Sequence, residues 1–108
     1  MNSSVEIEEI QLEQLILHSK VPVIIEFMTQ RCIICKTMKE RLAEVSREFK
    51  DRMVWMRIDI ENSKLWQKYE IMSTPTLFYY NRGKLAERHT DFPEKEKIRQ
   101  TLELLLKE

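Results

Sequence analysis

Val21-Pro22-Val23-Ile24-Ile25-Glu26-Phe27-Met28 leads through Thr29-Gln30-Arg31 into Cys32-Ile33-Ile34-Cys35, and this stretch decides the fold. Its first half is β-branched and apolar apart from Pro22 and Glu26, which reads as a strand. With helical segments on either side, it predicts a central strand buried on both faces. Pro22 falls at the first strand position, where a missing N–H costs least. From Cys35 onward, Met38, Leu42, Val45 and Phe49 recur at helical spacing, so a long amphipathic helix follows the cysteines. Charged residues fill its other faces, and pairs such as Lys36 with Glu40 are surface chemistry worth about 0.3 kcal/mol.

Upstream, Glu6 to Lys20 carries Ile7, Ile10, Leu12, Leu15, Ile16 and Leu17 and reads as a short helix with a blurred apolar face. Downstream, Met53 to Ile60 reads as a second strand. Ser63 is placed to cap a short helix holding Leu65, Trp66 and Tyr69. Thr76 to Tyr80 is a third strand, preceded by Ser73-Thr74-Pro75. Asn81-Arg82-Gly83-Lys84 is a hairpin turn, with Gly83 suited to a positive φ. Lys84 to Thr90 returns antiparallel as an edge strand. Pro93 suits the first turn of a last helix, in which Ile98, Leu102 and Leu105 form the buried stripe. Strands joined by long helical crossovers run parallel and the final hairpin antiparallel. The expected architecture is α/β: a mixed four-stranded sheet with helices on both faces, in a single domain spanning residues 1–108.

Length and composition fit that reading. A chain of 108 residues with 43% hydrophobic and 33% charged residues is ordinary for a soluble globular protein. Eighteen basic residues balance eighteen acidic ones, so no basic field points to nucleic acid as a partner. No segment approaches the roughly 18 apolar residues of a membrane span. Met1 to Glu6 lacks the pattern of a signal peptide. Two cysteines three apart are no framework for a secreted mini-protein, which favours a cytoplasmic location. Two thiols alone cannot complete a tetrahedral zinc site, and neither His18 nor His89 has ligand spacing, so neither metal nor organic cofactor is expected.

The cysteine pair carries the chemistry. A two-residue gap puts Cys35 one turn after Cys32 at a helix start, close enough for a disulfide. At the positive end of the helix dipole Cys32 is favoured as thiolate and is the expected nucleophile. Cys35, on the buried stripe, is the expected resolving thiol. Arg31 adds positive charge next door and a contact for acidic partners, while Ile33 and Ile34 offer an apolar contact surface. The plain alternative is that Cys35 is a core residue and Cys32 an exposed thiol. Glu26 is either a buried acid with a function or an acid at the sheet margin. Pro75 is either a turn-setting residue or part of the site. Trp55 and Trp66 read as packing residues, and Tyr79 and Tyr80 as one core and one outer residue.

Taken together, Val23 to Phe27, the CxxC and its helix, Ile58-Asp59-Ile60-Glu61-Asn62, Ser73-Thr74-Pro75-Thr76 and Asn81-Arg82-Gly83-Lys84 resemble the thioredoxin family over nearly the whole chain. The resemblance implies a cis Pro75 beside the dithiol, with the backbone of Thr74 exposed to pair with an extended substrate chain. It implies that Glu26 shuttles a proton to or from Cys35, and that a thioredoxin reductase-like, NADPH-dependent flavoprotein supplies electrons. The chain departs from the family at Arg31, where tryptophan is usual, and at Ile33-Ile34 in place of Gly-Pro. Glu26 stands for the family aspartate, Trp55 for the lysine that pairs with it and Glu40 for a helix proline, and the usual glycine is missing near Thr90-Asp91. The expected function is reduction of disulfide-containing proteins by a monomeric thiol–disulfide oxidoreductase. The alternatives are a binding or adaptor module with little turnover, and a thiol carrier dedicated to one enzyme.

Overall fold

The computed structural model of the chain describes residues 2–61 and 63–108, with side chains from residue 9 onward. Asn62, at the end of the Ile58–Asn62 motif, and the Ile7 side chain lie outside the described residues. The helices are α1 (Asn2–His18), α2 (Ile33–Phe49), α3 (Leu65–Lys68) and α4 (Lys95–Leu106). The strands are β1 (Val23–Met28), β2 (Val54–Asp59), β3 (Thr76–Asn81) and β4 (Lys84–His89). They form one mixed sheet in the order β2-β1-β3-β4. β1 runs parallel to β2 and antiparallel to β3, and β3 and β4 form the hairpin.

β1 has a strand on each side and all six of its residues are buried. Alternation along β1 and β3 divides the core in two. Ile24, Leu77 and Tyr79 pack with Met38 and Leu42 of α2 and Ile98 of α4. Ile25, Phe27, Phe78 and Tyr80 pack on the opposite side with Leu12 of α1 and Leu65 of α3. There the Phe27 and Phe78 rings meet edge-on at 5.0 Å, a favoured aromatic geometry. Tyr79 and Tyr80 are thus both buried, where one outer tyrosine was expected, because helices cover both faces of the sheet.

Other differences are local. α1 stops at His18 because the Ser19 hydroxyl turns the chain, donating to the Val21 carbonyl at 2.7 Å and accepting from its N–H. Ile10 and Leu17 are exposed, as the blurred face foretold. Ser63 accepts the Leu65 N–H at 3.3 Å, but Lys64 is the capping residue of α3. Trp66 is 45% exposed and is no packing residue. Pro93 precedes α4 instead of opening it; Glu94 is the cap. The segment is held by Arg41, whose Nη1 donates to the carbonyls of Phe92 (3.3 Å) and Pro93 (2.8 Å). At the hairpin both Arg82 (φ 55°) and Gly83 (φ 84°) take positive φ, which a tight two-residue turn between twisted strands demands.

α2 and α4 are also joined by charge. Arg41 pairs with Glu94, Lys95 with Glu44, and Arg99 with Glu48. The Arg99 guanidinium hydrogen-bonded to Glu48 holds its carboxyl below the usual range.

His89 ends β4 in a buried position, with Nδ1 3.1 Å from the Tyr79 hydroxyl. Burial, aided by Lys97, lowers its pKa from 6.5, against the opposing pull of Glu87 and Asp91. A histidine depressed in the folded state binds more protons when unfolded. Its contribution is therefore complete above about pH 6.5 and is lost as pH falls toward the folded value. The urea midpoint should drop between about pH 7 and pH 5, and His89→Gln should flatten that slope. An unchanged slope in the variant would assign the window to other groups.

Candidate active site

The site forms where β1 ends. Cys32 is the N-cap of α2, in extended backbone with φ −77° and ψ 105°. Its N–H donates to the Thr29 carbonyl at 3.3 Å, which turns the chain from strand to helix. Its Sγ accepts the Cys35 N–H at 3.2 Å. That donor, which at a helix start has no carbonyl four residues back, is shared with the Cys32 carbonyl at 3.3 Å. Cys32 and Cys35 are joined as a disulfide, with Cα atoms 5.2 Å apart. Cys32 is half-buried and Cys35 is 1% exposed. The two sulfurs are thus unequal: one is open to a partner, the other covered by the core stripe of α2.

The neighbouring contacts sort themselves by chemistry. Ile33 and Ile34 stand on the first turn of α2, 80% and 43% exposed. Arg31 is also exposed, and its Nε lies 3.7 Å from Glu61. The Thr74–Pro75 peptide bond is cis. Phe27 of β1 pairs with Thr76 of β3. Because those strands are antiparallel, Pro75 and Thr74 lie at the sheet end from which β1 runs on to Cys32. Thr76 fastens this loop, its hydroxyl donating to the Ser73 carbonyl at 2.6 Å. A groove of about 380 Å³ beside it is bordered by Thr29, Trp66, Met72 and Thr74. Met72 is 92% exposed.

Glu26 has no exposed surface. Alternation along β1 puts it on the Ile24 side, toward α2. Arg57 stands directly opposite on β2. Its Nε donates to Oε1 at 2.8 Å and its Nη2 to Oε2 at 3.3 Å. The Trp55 indole adds a third bond to Oε1 at 3.3 Å. Nη2 of Arg57 also reaches the Cys35 carbonyl at 3.4 Å. The carboxylate is thus tied to the base of α2 through one guanidinium. Trp55, assigned to the lysine's place, shares that office with Arg57, which the sequence reading missed. The available signal was a lone arginine within an apolar strand, two residues from Trp55 and so on the same face. The parallel register that aligns it with Glu26 is a tertiary fact.

The family model for thioredoxin matches residues 3–104. The chain belongs to the thioredoxin family. The thioredoxin of Buchnera aphidicola (subspecies Acyrthosiphon pisum) is 30% identical over 86 residues, covering 79% of this chain and 80% of its own. That of Rickettsia typhi is 26% identical over 93 residues, covering 85% and 89%. Among solved structures, a mutant thioredoxin from Halobacterium salinarum superposes with a TM-score of 0.79 at 16% identity, covering 89% of this chain and 83% of that one. A chain from work on thiol resolution in a yeast mitochondrial peroxiredoxin gives 0.77 at 17% identity, covering 87% of each. These two likenesses concern the fold. With the family fold, the disulfide-forming pair Cys32–Cys35 is the arrangement of a thioredoxin-like thiol–disulfide oxidoreductase. Thioredoxin-fold proteins generally act on disulfide-containing substrates. Among the described residues no group of three or more His, Cys, Asp or Glu side chains is placed to hold a metal ion. Nor is any helix long and apolar enough to cross a membrane.

The ion pair beneath α2 can be tested by its energetics. Arg57→Met leaves a buried carboxylate with only the Trp55 donor and should cost about 3 kcal/mol in urea unfolding. Glu26→Leu should cost less, since Arg57 keeps a quarter of its side chain in water. The double variant should recover most of the Arg57→Met loss. Simple additivity would show that the two side chains are not energetically coupled.

Proposed function

We propose that this protein reduces disulfides in other proteins by cycling Cys32 and Cys35 between dithiol and disulfide. The observation that carries the reading is the inequality of the sulfurs: Cys32 is accessible and accepts a backbone N–H, while Cys35 is covered. In the reduced protein the Cys32 thiolate attacks a substrate disulfide. One substrate sulfur leaves as a thiolate and takes up a proton, and a mixed disulfide to Cys32 remains. Cys35 gives up its proton and attacks Cys32 Sγ, which releases the second substrate sulfur and closes the Cys32–Cys35 bond. Two electrons have passed to the substrate.

The surroundings have assigned parts. Ile33 and Ile34 supply apolar contact, and the Thr74 backbone before cis Pro75 pairs with an extended substrate segment. Arg31 favours acidic partners. Glu26 exchanges the Cys35 proton through water. An NADPH-dependent flavoprotein of the thioredoxin reductase kind returns the electrons, and the protein works in the cytoplasm as a single-domain monomer.

The test is reduction of insulin with dithiothreitol as electron source. Cys32→Ser should bring the rate down to that of dithiothreitol alone. Cys35→Ser should accumulate a mixed disulfide at Cys32, visible by mass. The pair should equilibrate reversibly between dithiol and disulfide in defined thiol buffers, at a reducing potential. Turnover that survives Cys32→Ser would sink the proposal. A redox-active pair that leaves insulin untouched would favour a carrier dedicated to one enzyme.

A further inference from the structure

The disulfide can be approached from two sides that differ in chemistry. One is the side of Ile33, Ile34 and the groove beside Thr74, where Trp66 and Met72 stand with a carboxylate, Glu61. On the other, Cys32 faces a recess of about 330 Å³, with the covered Cys35 in its wall. That volume lies at the small end of the roughly 300–1,000 Å³ typical of small-molecule sites. Its charged lining is entirely cationic: Lys36, Lys39 and Arg57, with no carboxylate. Arg57 is neutralised by Glu26 below it. Among the described residues Lys36 and Lys39 take part in no ion pair, so two positive charges remain. Glu40, one turn along α2 from Lys36, forms no ion pair with it among the described residues and does not line the recess; the other acids at this end have partners of their own. Asp59 accepts from the Gln30 side chain and the Glu61 N–H, and Glu61 pairs with Arg31.

We infer that this recess admits a low-molecular-weight disulfide bearing carboxylates, and that the protein reduces it at Cys32. The inference rests on the dithiol cycle above and names a second class of substrate for it. An anionic disulfide is repelled by an attacking thiolate, and two lysines beside the sulfur offset that repulsion and raise the encounter rate. Size selects a small molecule, because the recess is more enclosed than the groove beside Thr74. The Cys32 thiolate attacks one sulfur of the small disulfide, and the other half leaves as thiolate and takes up a proton. Cys35, after losing its proton, attacks Cys32 Sγ and expels the second half, which is protonated in turn. The dithiol is oxidised to a disulfide, and one small disulfide becomes two small thiols.

The experiment is single-turnover oxidation of fully reduced protein, freed of other reductant, by two probes. Dithiodipropionate carries two carboxylates; hydroxyethyl disulfide is a neutral counterpart. Remaining protein thiols are counted after acid quench. The anionic probe should react about tenfold faster at low ionic strength. That ratio should fall toward one in about 0.5 M salt and in the Lys36→Gln/Lys39→Gln variant. Lys84→Gln, on the exposed β4 strand, should keep it. Equal rates with both probes in the unaltered protein would overturn the inference and leave the dithiol cycle standing. Failure of both probes to oxidise the pair would instead overturn the cycle itself. A parallel loss of insulin reduction in the double lysine variant would assign the lysines to an acidic protein chain and overturn the small-molecule reading.

Discussion

A carboxylate sealed inside the central strand is tolerable only if hydrogen-bond donors come to it, and here they come from one neighbour. Arg57 and Trp55 of β2 supply all three bonds to Glu26. This ties the alignment of β1 and β2 to a polar requirement as well as to apolar packing. A slip of one residue would turn Arg57 to the opposite face and leave the acid without a guanidinium. The same Arg57 reaches the Cys35 carbonyl. One side chain therefore joins the sheet's register to the first turn of the helix that carries the cysteines.

The asymmetry of the site follows from that placement. α2 begins shortly after the end of a buried strand, so its N-cap stands at the surface while the residue one turn on faces the core. Cys32 and Cys35 take those two positions. The ground on either side of Cys32 is then set by what each element brings. α2 and β2 bring lysines and arginine to one flank. α3 and the loop before Pro75 bring Trp66 and Met72 to the other.

Much of this was legible in the chain. The strand-to-helix turn could be read because the apolar run from Val23 and the stripe from Cys35 have different periods and meet at the CxxC. The cis bond at Pro75 followed from resemblance and not from composition. Arg57 could not be placed, because a parallel register is set by crossovers whose geometry no local pattern encodes. The recess escaped for a related reason: Lys36 and Lys39 are ordinary exposed lysines in one dimension, and only Arg57 from β2 closes the wall. Trp66 was misjudged because a four-residue helix with Leu65 already buried has no second apolar side to cover. Pro93 was displaced by one tertiary contact, the clasp of Arg41 on the Phe92 and Pro93 carbonyls.

That clasp and the charges beyond it divide α2 into two parts. Arg41, Glu44 and Glu48, through which α2 holds α4, all lie beyond the first two turns of α2, whereas the cysteines stand at its start. α4 is also bound to the sheet by packing, since Ile98 and Leu102 share one buried cluster with Leu42, Ile24 and Tyr79. The part of the protein that does chemistry and the part that fastens the helices together are thus set at opposite ends of one helix.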